Sequence, residues 1–366
     1  MRFSRRFYNA FTNSYARLIS AICRSGHSPF PLVVNCILTY DCNMTCPFCI
    51  SDAGRKRAPK ASINAEKWAN IFRQIPSLTV IGFSGGEVFC HPQVHEILRY
   101  ASIGHRTAIV TNGTFLDDET VHRLVQLGAQ NFLKKGLVQI GISVNEDIDG
   151  YEKCKAVLDE KIRIFEKLAS EKSRQKKRFP QLELKVLIRD DVAPFLDLFA
   201  SAIQYSPIEA VTFQMLTTQA FSCFTGFDIN DRNQIEAMRN YKDKAPGLNK
   251  FSKIAELEKS FERLLSLPKS IRNKIGFLPP ISIKDFLDYY RGEMNPDKFF
   301  CVSPWMHWTI DPYGVAYQCI NPEGIDLKEI PFRKAWNDPK MRALRREVRE
   351  KKLFNRCLGC CFLTPI

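Results

Sequence analysis

The sequence predicts an α/β protein built on a parallel sheet, with a small cysteine-rich domain at its C-terminal end. Three observations lead there. Six short apolar, β-rich runs alternate with longer helix-compatible segments between residues 32 and 216; three cysteines crowd together directly after the first run; and residues 301–366 hold five more cysteines. Parallel neighbours need long crossover connections, and helices of this length supply them.

Residues 1–31 read as a basic amphipathic arm. The first forty residues contain no Asp or Glu, and Phe7, Phe11, Leu18 and Ile22 recur near the helical period among Arg5, Arg6, Arg17 and Arg24. Such an arm suits an anionic membrane surface, a docking partner, a transit peptide, or packing against the main domain. Residues 32–225 form the expected sheet domain. Its strand runs are LVVNCILTY (32–40), LTVIGFSGG (78–86), TAIVTNG (107–113), VQIGISVN (138–145), LELKVLIR (182–189) and AVTFQML (210–216). Segments such as SINAEKWANIFRQI and DDETVHRLVQLG between them carry the helical period. Residues 226–298 are charged and cysteine-free and read as a helical connecting segment, leaving 299–366 as the terminal domain.

No run approaches the roughly 18 to 20 apolar residues of a membrane span. Thirteen cysteines without a signal peptide argue against a disulfide framework and for metal binding in a reducing compartment, so a cytoplasmic protein is expected, with peripheral membrane contact through the arm as a variant. The net charge of +14, with basic runs at 172–178 and 342–352, is compatible with RNA or an anionic surface, and equally with solvated helix faces. Cys23, Cys36, Cys90, Cys154, Cys223 and Cys361 are scattered, and most read as small buried hydrophobes.

Ligands of parallel sheets gather at the carboxyl ends of the strands. Cys42, Cys46 and Cys49 follow the first strand, and Ser84-Gly85-Gly86-Glu87 the second, so both loops face one mouth. A structural metal site wants four protein ligands; a tight trio either recruits a distant fourth or leaves one metal position open, and soft thiolates suit iron and sulfide. Here the sequence resembles the radical S-adenosylmethionine (SAM) superfamily, whose CxxxCxxC loop is matched by Cys42, Cys46 and Cys49, with the aromatic Phe48 before the last cysteine. The resemblance implies a partial (β/α)6 barrel, a 4Fe-4S cluster with an open iron site, and SAM bound there. It also implies that Gly85, Gly86 and Glu87 hold the methionine amino group, and that Asn112, Ser143 and Asn145 lie near the ribose. The chemistry implied is reductive cleavage of SAM to a 5′-deoxyadenosyl radical that abstracts a substrate hydrogen atom.

Near the C-terminus, Cys301 and Cys319 bracket a predicted hairpin whose turn is DPYG, and Cys357 and Cys360 make a CxxC pair. Four thiolates make a closed site, and on chemistry alone zinc would satisfy it as well. A cysteine, twelve residues, a glycine, four residues and a cysteine, followed later by CxxC, resembles the twitch domain, the short relative of the SPASM domain in radical SAM enzymes. That resemblance implies one auxiliary 4Fe-4S cluster, which, lacking an open iron, is suited to accept an electron from a substrate radical. The expected activity is oxidation or cross-linking of a ribosomal peptide or a natural-product intermediate, fed by a reductase or flavodoxin-type electron donor. The residues before the trio are too few for a leader-binding module, so a separate leader-peptide-binding partner is expected. Alternatives are modification of RNA or lipid, peptide epimerisation with Cys223 or Cys361 returning a hydrogen atom, and a non-catalytic metal-binding scaffold.

Overall fold

A computed structural model describes residues 14–15, 17–51, 62–217, 251–318, 323–354 and 357–366. Its centre is a ten-stranded sheet. Strands β1 (Val33–Ile37), β2 (Val80–Ser84), β3 (Arg106–Thr111), β4 (Gly136–Val144), β5 (Gln181–Ile188), β6 (Ala210–Met215) and β7 (Ile275–Leu278) lie side by side in chain order, all parallel. The crossovers carry α1 (Ala65–Gln74), α2 (Val94–Gly104), α3 (Asp118–Gln126), α4 (Gly150–Arg174), α5 (Leu196–Ser201) and α6 (Ile254–Ser266). Helix starts are set by local side chains: Asn64 accepts from Lys67 N at 3.0 Å before α1, and Asp117 from Thr120 N at 2.8 Å before α3.

The strands alternate more strictly than their apolar runs imply. Val34, Cys36, Ile81, Phe83, Ile140, Ile142, Leu184, Val186, Val211 and Phe213 are buried in the main core, which they share with Trp68, Phe72, Leu98, Leu124 and Phe165 of the helices. The opposite face is polar. Asn35 donates to Ser84 Oγ at 2.8 Å, and the buried Glu183 accepts from Gln139, from Thr212 and, at 3.1 Å, from Lys185. A period of two thus separates a greasy outer face from a polar inner one.

Two expectations need correction. The stretch 226–298 is not only helical: β7 extends the parallel sheet beyond β6, with Val211 opposite Ile275. This strand has four residues and stops at Pro279, too short for periodicity to announce it. Nor does Cys301 sit on the predicted hairpin. It ends β8 (Phe299–Cys301), which pairs with β12 (Leu363–Pro365), whereas the hairpin is β9 (His307–Ile310) with β10 (Val315–Tyr317). Its turn is as expected, with Gly314 at φ +83° and Asp311 Oδ1 accepting from Tyr313 N and Val315 N at 2.9 Å each. β9 docks parallel to β1, and β11 (Ile325–Asp326) adds to β10, so the terminal hairpin continues the sheet.

The N-terminal arm is described from residue 14 with Ala16 excepted, and it packs against the C-terminal part. Tyr15, Ile19 and Phe30 lie on a second core formed by Leu32, Cys301, Trp305, Met306, Leu344, Val348 and Cys357, while Leu18 and Ile22 face outward. Among the described residues no helix is long and apolar enough to cross a membrane.

Arg345, on α9 (Pro339–Lys351; α7 is Ile283–Arg291 and α8 Phe332–Trp336), fastens arm to terminus. It is 1% exposed and donates to Pro304 O at 2.7 Å, Gly26 O at 3.1 Å and Trp336 O at 2.8 Å, with its guanidinium carbon 4.2 Å from the Trp336 ring centroid. Burial pulls its pKa down to about 9. Replacing it with Leu leaves three buried carbonyls without a donor, each costing about 1–3 kcal/mol. Arg345→Leu is therefore expected to lose more than about 3 kcal/mol in denaturant unfolding, while a surface control, Arg349→Leu, stays near wild type.

Candidate active site at the carboxyl ends of the strands

The loop after β1 carries Cys42, Cys46 and Cys49, all half-exposed. It is a compact turn: Cys49 N donates to Cys46 O at 3.1 Å, and Met44 N to Cys42 Sγ at 3.4 Å. The thiols feel one another. Burial raises the pKa of Cys46 first, its neighbours Cys49 and Cys42 raise it further, and the Arg189 cation opposes them.

Gly85 and Gly86 hold this loop in place by backbone contact. Gly86 N donates to Thr39 O at 2.9 Å and Glu87 N to Asp41 O at 2.8 Å. A Cβ on Gly85, which has φ +139°, would lie 2.5 Å from Thr39 O, and one on Gly86 would lie 2.1 Å from Asp41 O. The glycines are needed where two chain segments touch, before any ligand is considered. Glu87 is 1% exposed and ties β2 to β3: Oε1 accepts from Thr111 Oγ1 at 2.7 Å and Oε2 from Asn112 N at 2.8 Å. Burial raises its pKa against the pull of these donors.

Asn112 reaches the cysteine loop itself, donating to Asn43 Oδ1 at 2.9 Å, while Asn43 donates to Thr114 Oγ1 at 2.8 Å. Asn145 donates to Ser143 Oγ at 2.7 Å, and Ser143 to Thr111 O at 3.2 Å. The structure therefore gathers Phe48, Gly85, Gly86, Glu87, Asn112, Ser143 and Asn145 with the trio at one lip. Three further residues belong there that sequence reasoning passed over. Lys161, fully buried mid-way along α4, donates to Glu146 at 2.6 Å and to Asn112 O at 3.2 Å. Arg189, directly after β5, covers the Phe48 ring. Cys90, which the sequence offers as a plain buried hydrophobe, takes a hydrogen bond from the Asn43 backbone and lies within electrostatic reach of Cys42. Its place three residues after Glu87 was the available signal for Cys90; nothing local marks Lys161.

Cys301, Cys357 and Cys360 form a second group. Cys360 N donates to Cys357 O at 3.1 Å, and burial, followed by the charges of Cys357 and Cys360, raises the Cys301 pKa far above the thiol range. Cys319 and Cys223 lie outside the described residues; Gln318, just before Cys319, sits 3.4 Å from Ser303 Oγ, two residues beyond Cys301. Cys361 packs at the edge of the main core. Tyr289 links this group to the lip. Its hydroxyl donates to Leu216 O, just past β6, at 2.8 Å, and a Cβ on Gly359 would meet that hydroxyl at 2.4 Å. Burial, with the Cys360 charge adding, raises the Tyr289 pKa to about 12.

Burial disfavours the Cys301 thiolate unless a cation lies beside it, and thiolates in both groups suit iron–sulfur clusters. Among the described residues no three His, Cys, Asp or Glu are close enough to hold one metal ion.

A parallel α/β sheet bearing an open-sided cysteine trio at its lip and a second thiol group behind it defines a class of iron–sulfur enzymes. Comparison identifies which. The Radical SAM superfamily pattern matches residues 36–166, and an iron-sulfur cluster-binding domain, SPASM, matches residues 301–361. The chain carries a radical SAM domain followed by a SPASM-type iron–sulfur domain, which marks it as an enzyme, so the scaffold reading is set aside. Such a protein carries 4Fe-4S clusters and SAM. Among relatives, it is 30% identical over 132 residues to the antilisterial bacteriocin subtilosin biosynthesis protein AlbA of Bacillus subtilis (strain 168), covering 35% of this chain and 28% of that one. It is 31% identical over 103 residues to the AdoMet-dependent heme synthase of Methanosarcina barkeri (strain Fusaro / DSM 804), covering 27% and 29%. The matched stretch thus spans less than a third of either relative. In fold it is similar to Streptococcus suis SuiB bound to S-adenosylmethionine, with a TM-score of 0.59 at 15% identity over 94% of this chain and 74% of that one.

The glycine contact is testable. Gly86→Ala must push Asp41, and with it the cysteine loop that begins there, away from the turn after β2, so iron bound after anaerobic reconstitution is expected to fall from about eight per chain to about four, with the Cys301 group still filled.

Proposed function

We propose that the protein is a radical SAM oxidoreductase that oxidises or cross-links a peptide, with the Cys301 group holding the cluster that receives the substrate's electron. The observation that carries this is Tyr289, which touches the lip of the sheet through Leu216 and the second cysteine group through Gly359. A buried tyrosine that joins the carboxyl end of β6 to the turn between Cys357 and Cys360 supports a single substrate facing both the sheet's lip and the second group.

When bound, an open-sided 4Fe-4S cluster with SAM supplies a 5′-deoxyadenosyl radical that removes a hydrogen atom from substrate. The chain's own residues prepare for it. Cys42, Cys46 and Cys49 would hold the cluster, and Gly85, Gly86 and Glu87 would present carbonyl and carboxylate acceptors to the ammonium of SAM. Phe48, Asn112, Ser143 and Asn145 would line the nucleoside end, with Lys161 and Glu146 keeping the Asn112 turn in place. Cys301, Cys319, Cys357 and Cys360 would close the auxiliary site. The polar inner face, with Gln139, Lys185 and Gln214 partly accessible, offers hydrogen-bonding groups to a peptide backbone.

The substrate class is supported by two similarities. AlbA is a bacteriocin biosynthesis protein, and SuiB, with which this fold superposes at a TM-score of 0.57, has been seen bound to its precursor peptide SuiA. A leader-binding partner and a flavodoxin-type donor complete the proposal.

Anaerobic reconstitution is expected to yield about eight irons per chain, and replacing Cys42, Cys46 and Cys49 together by Ala to leave about four and abolish 5′-deoxyadenosine formation under strong reductant. Unchanged iron in that variant would refute the assignment. For the auxiliary group, Cys357→Ala with Cys360→Ala is expected to keep reductive SAM cleavage while oxidised peptide product falls at least tenfold. If the group were purely structural, solubility and cleavage would drop together, and full product yield without the second cluster would sink the electron-acceptor role.

A further inference from the structure

Arg189 is 5% exposed and lies with its guanidinium carbon 4.2 Å from the centroid of Phe48, a residue of the cysteine loop itself. Two of its three nitrogens are committed. Nε donates to Asp191 Oδ1 at 3.0 Å, and Nη2 donates to Asp191 Oδ2 at 2.8 Å and to Glu146 O at 2.6 Å. Asp191 is itself held, accepting from Ile148 N at 2.9 Å. Nη1 is buried and finds no acceptor among the described residues. A buried donor of a charged group left unsatisfied is costly, so a brace this well made calls for a further acceptor.

The surroundings narrow the choice. The Glu87 carboxylate is engaged by Thr111 and Asn112, and the Asp191 carboxylate by Arg189 and Ile148. What the loop beside Phe48 gains on loading is sulfur. We propose that Arg189 donates a hydrogen bond through Nη1 to a sulfur of the 4Fe-4S cluster held by Cys42, Cys46 and Cys49, and thereby raises that cluster's reduction potential. A cation and an N–H donor at cluster sulfur both favour the more negative, reduced state, as hydrogen bonding and net charge do for such clusters generally. Arg189 is in these terms a positioning and tuning residue. The inference rests on the reading that the trio holds a cluster.

The test is a redox titration, followed by electron paramagnetic resonance, of the anaerobically reconstituted full chain without SAM. The trio's signal is recognised by its change when SAM is added afterwards. Arg189→Met is expected to lower the reduction equilibrium about tenfold, a shift of about 59 mV to more negative potential for a one-electron couple, and Arg189→Lys to recover part of it. Asp191→Asn loosens the same brace but removes a negative charge, so its potential is expected at or above the wild-type value. Should Arg189→Met lose its iron, Arg189→Gln, which drops the charge and keeps an amide donor, is expected to show a fall in the same direction. An unchanged potential in a variant that retains its trio cluster overturns the inference, and if SAM binding is weakened instead, Nη1 serves the SAM carboxylate. An equal fall in Asp191→Asn also overturns it, since loosening rather than charge would then be the cause. Wild-type protein that binds no iron at the trio refutes the cluster reading itself.

Discussion

The contact on which the site depends is between two stretches of backbone. Parallel pairing of β1 with β2 sets Ile37 opposite Ser84, so the loops that follow both strands emerge together. Gly86 and Glu87 then donate to Thr39 O and Asp41 O, a closeness that any side chain at Gly86 would prevent. The cysteine loop begins at Asp41, and those two hydrogen bonds set where it leaves the sheet. Glu87 passes that position on to β3 through Thr111 and Asn112, and Asn112 returns it to the cysteine loop through Asn43. The result is a closed ring of contacts around a half-exposed set of thiols.

The ring is stiffened from beneath by buried charge. Lys161 has no exposure and meets both Glu146 and the Asn112 carbonyl, and Arg189 meets Glu146 O and Asp191. Buried ions are tolerated only when paired and hydrogen-bonded, and a pair that breaks leaves a charge in low dielectric. These groups therefore favour a single arrangement of the strand ends over alternatives that would strand one of them. Tyr290 adds a neutral tie, donating to Ile188 O at 2.8 Å while accepting from Leu216 N at 3.0 Å, so α7 spans the ends of β5 and β6.

The terminal region is joined to this frame where β9 pairs with β1 and where Gly359 packs on Tyr289, which reaches Leu216, while Arg345 ties it to the arm through Gly26 O. The second cysteine group thus lies between the arm and the sheet. Tyr15 and Ile19 of the arm pack on the core that contains Cys301 and Cys357, which gives the basic N-terminal segment a covering role over those thiols.

What the sequence determined by itself was local. Strand runs and crossover lengths announce a parallel sheet because period and connection length are properties of contiguous residues. The CxxxCxxC spacing, the glycines before Glu87, the DPYG turn and the CxxC pair are legible for the same reason. The tertiary structure alone decided what depends on residues far apart in the chain. Lys161 looks like an ordinary lysine of a charged helix until α4 carries it under Asn112, 49 positions away. Arg189 is only the last letter of a strand until Phe48 lies beneath it, and β7 is four unremarkable residues until β6 offers an edge. Even Gly86, expected only to admit a ligand, also admits the Asp41 carbonyl, because close approach is a relation between two segments and no window of sequence contains both.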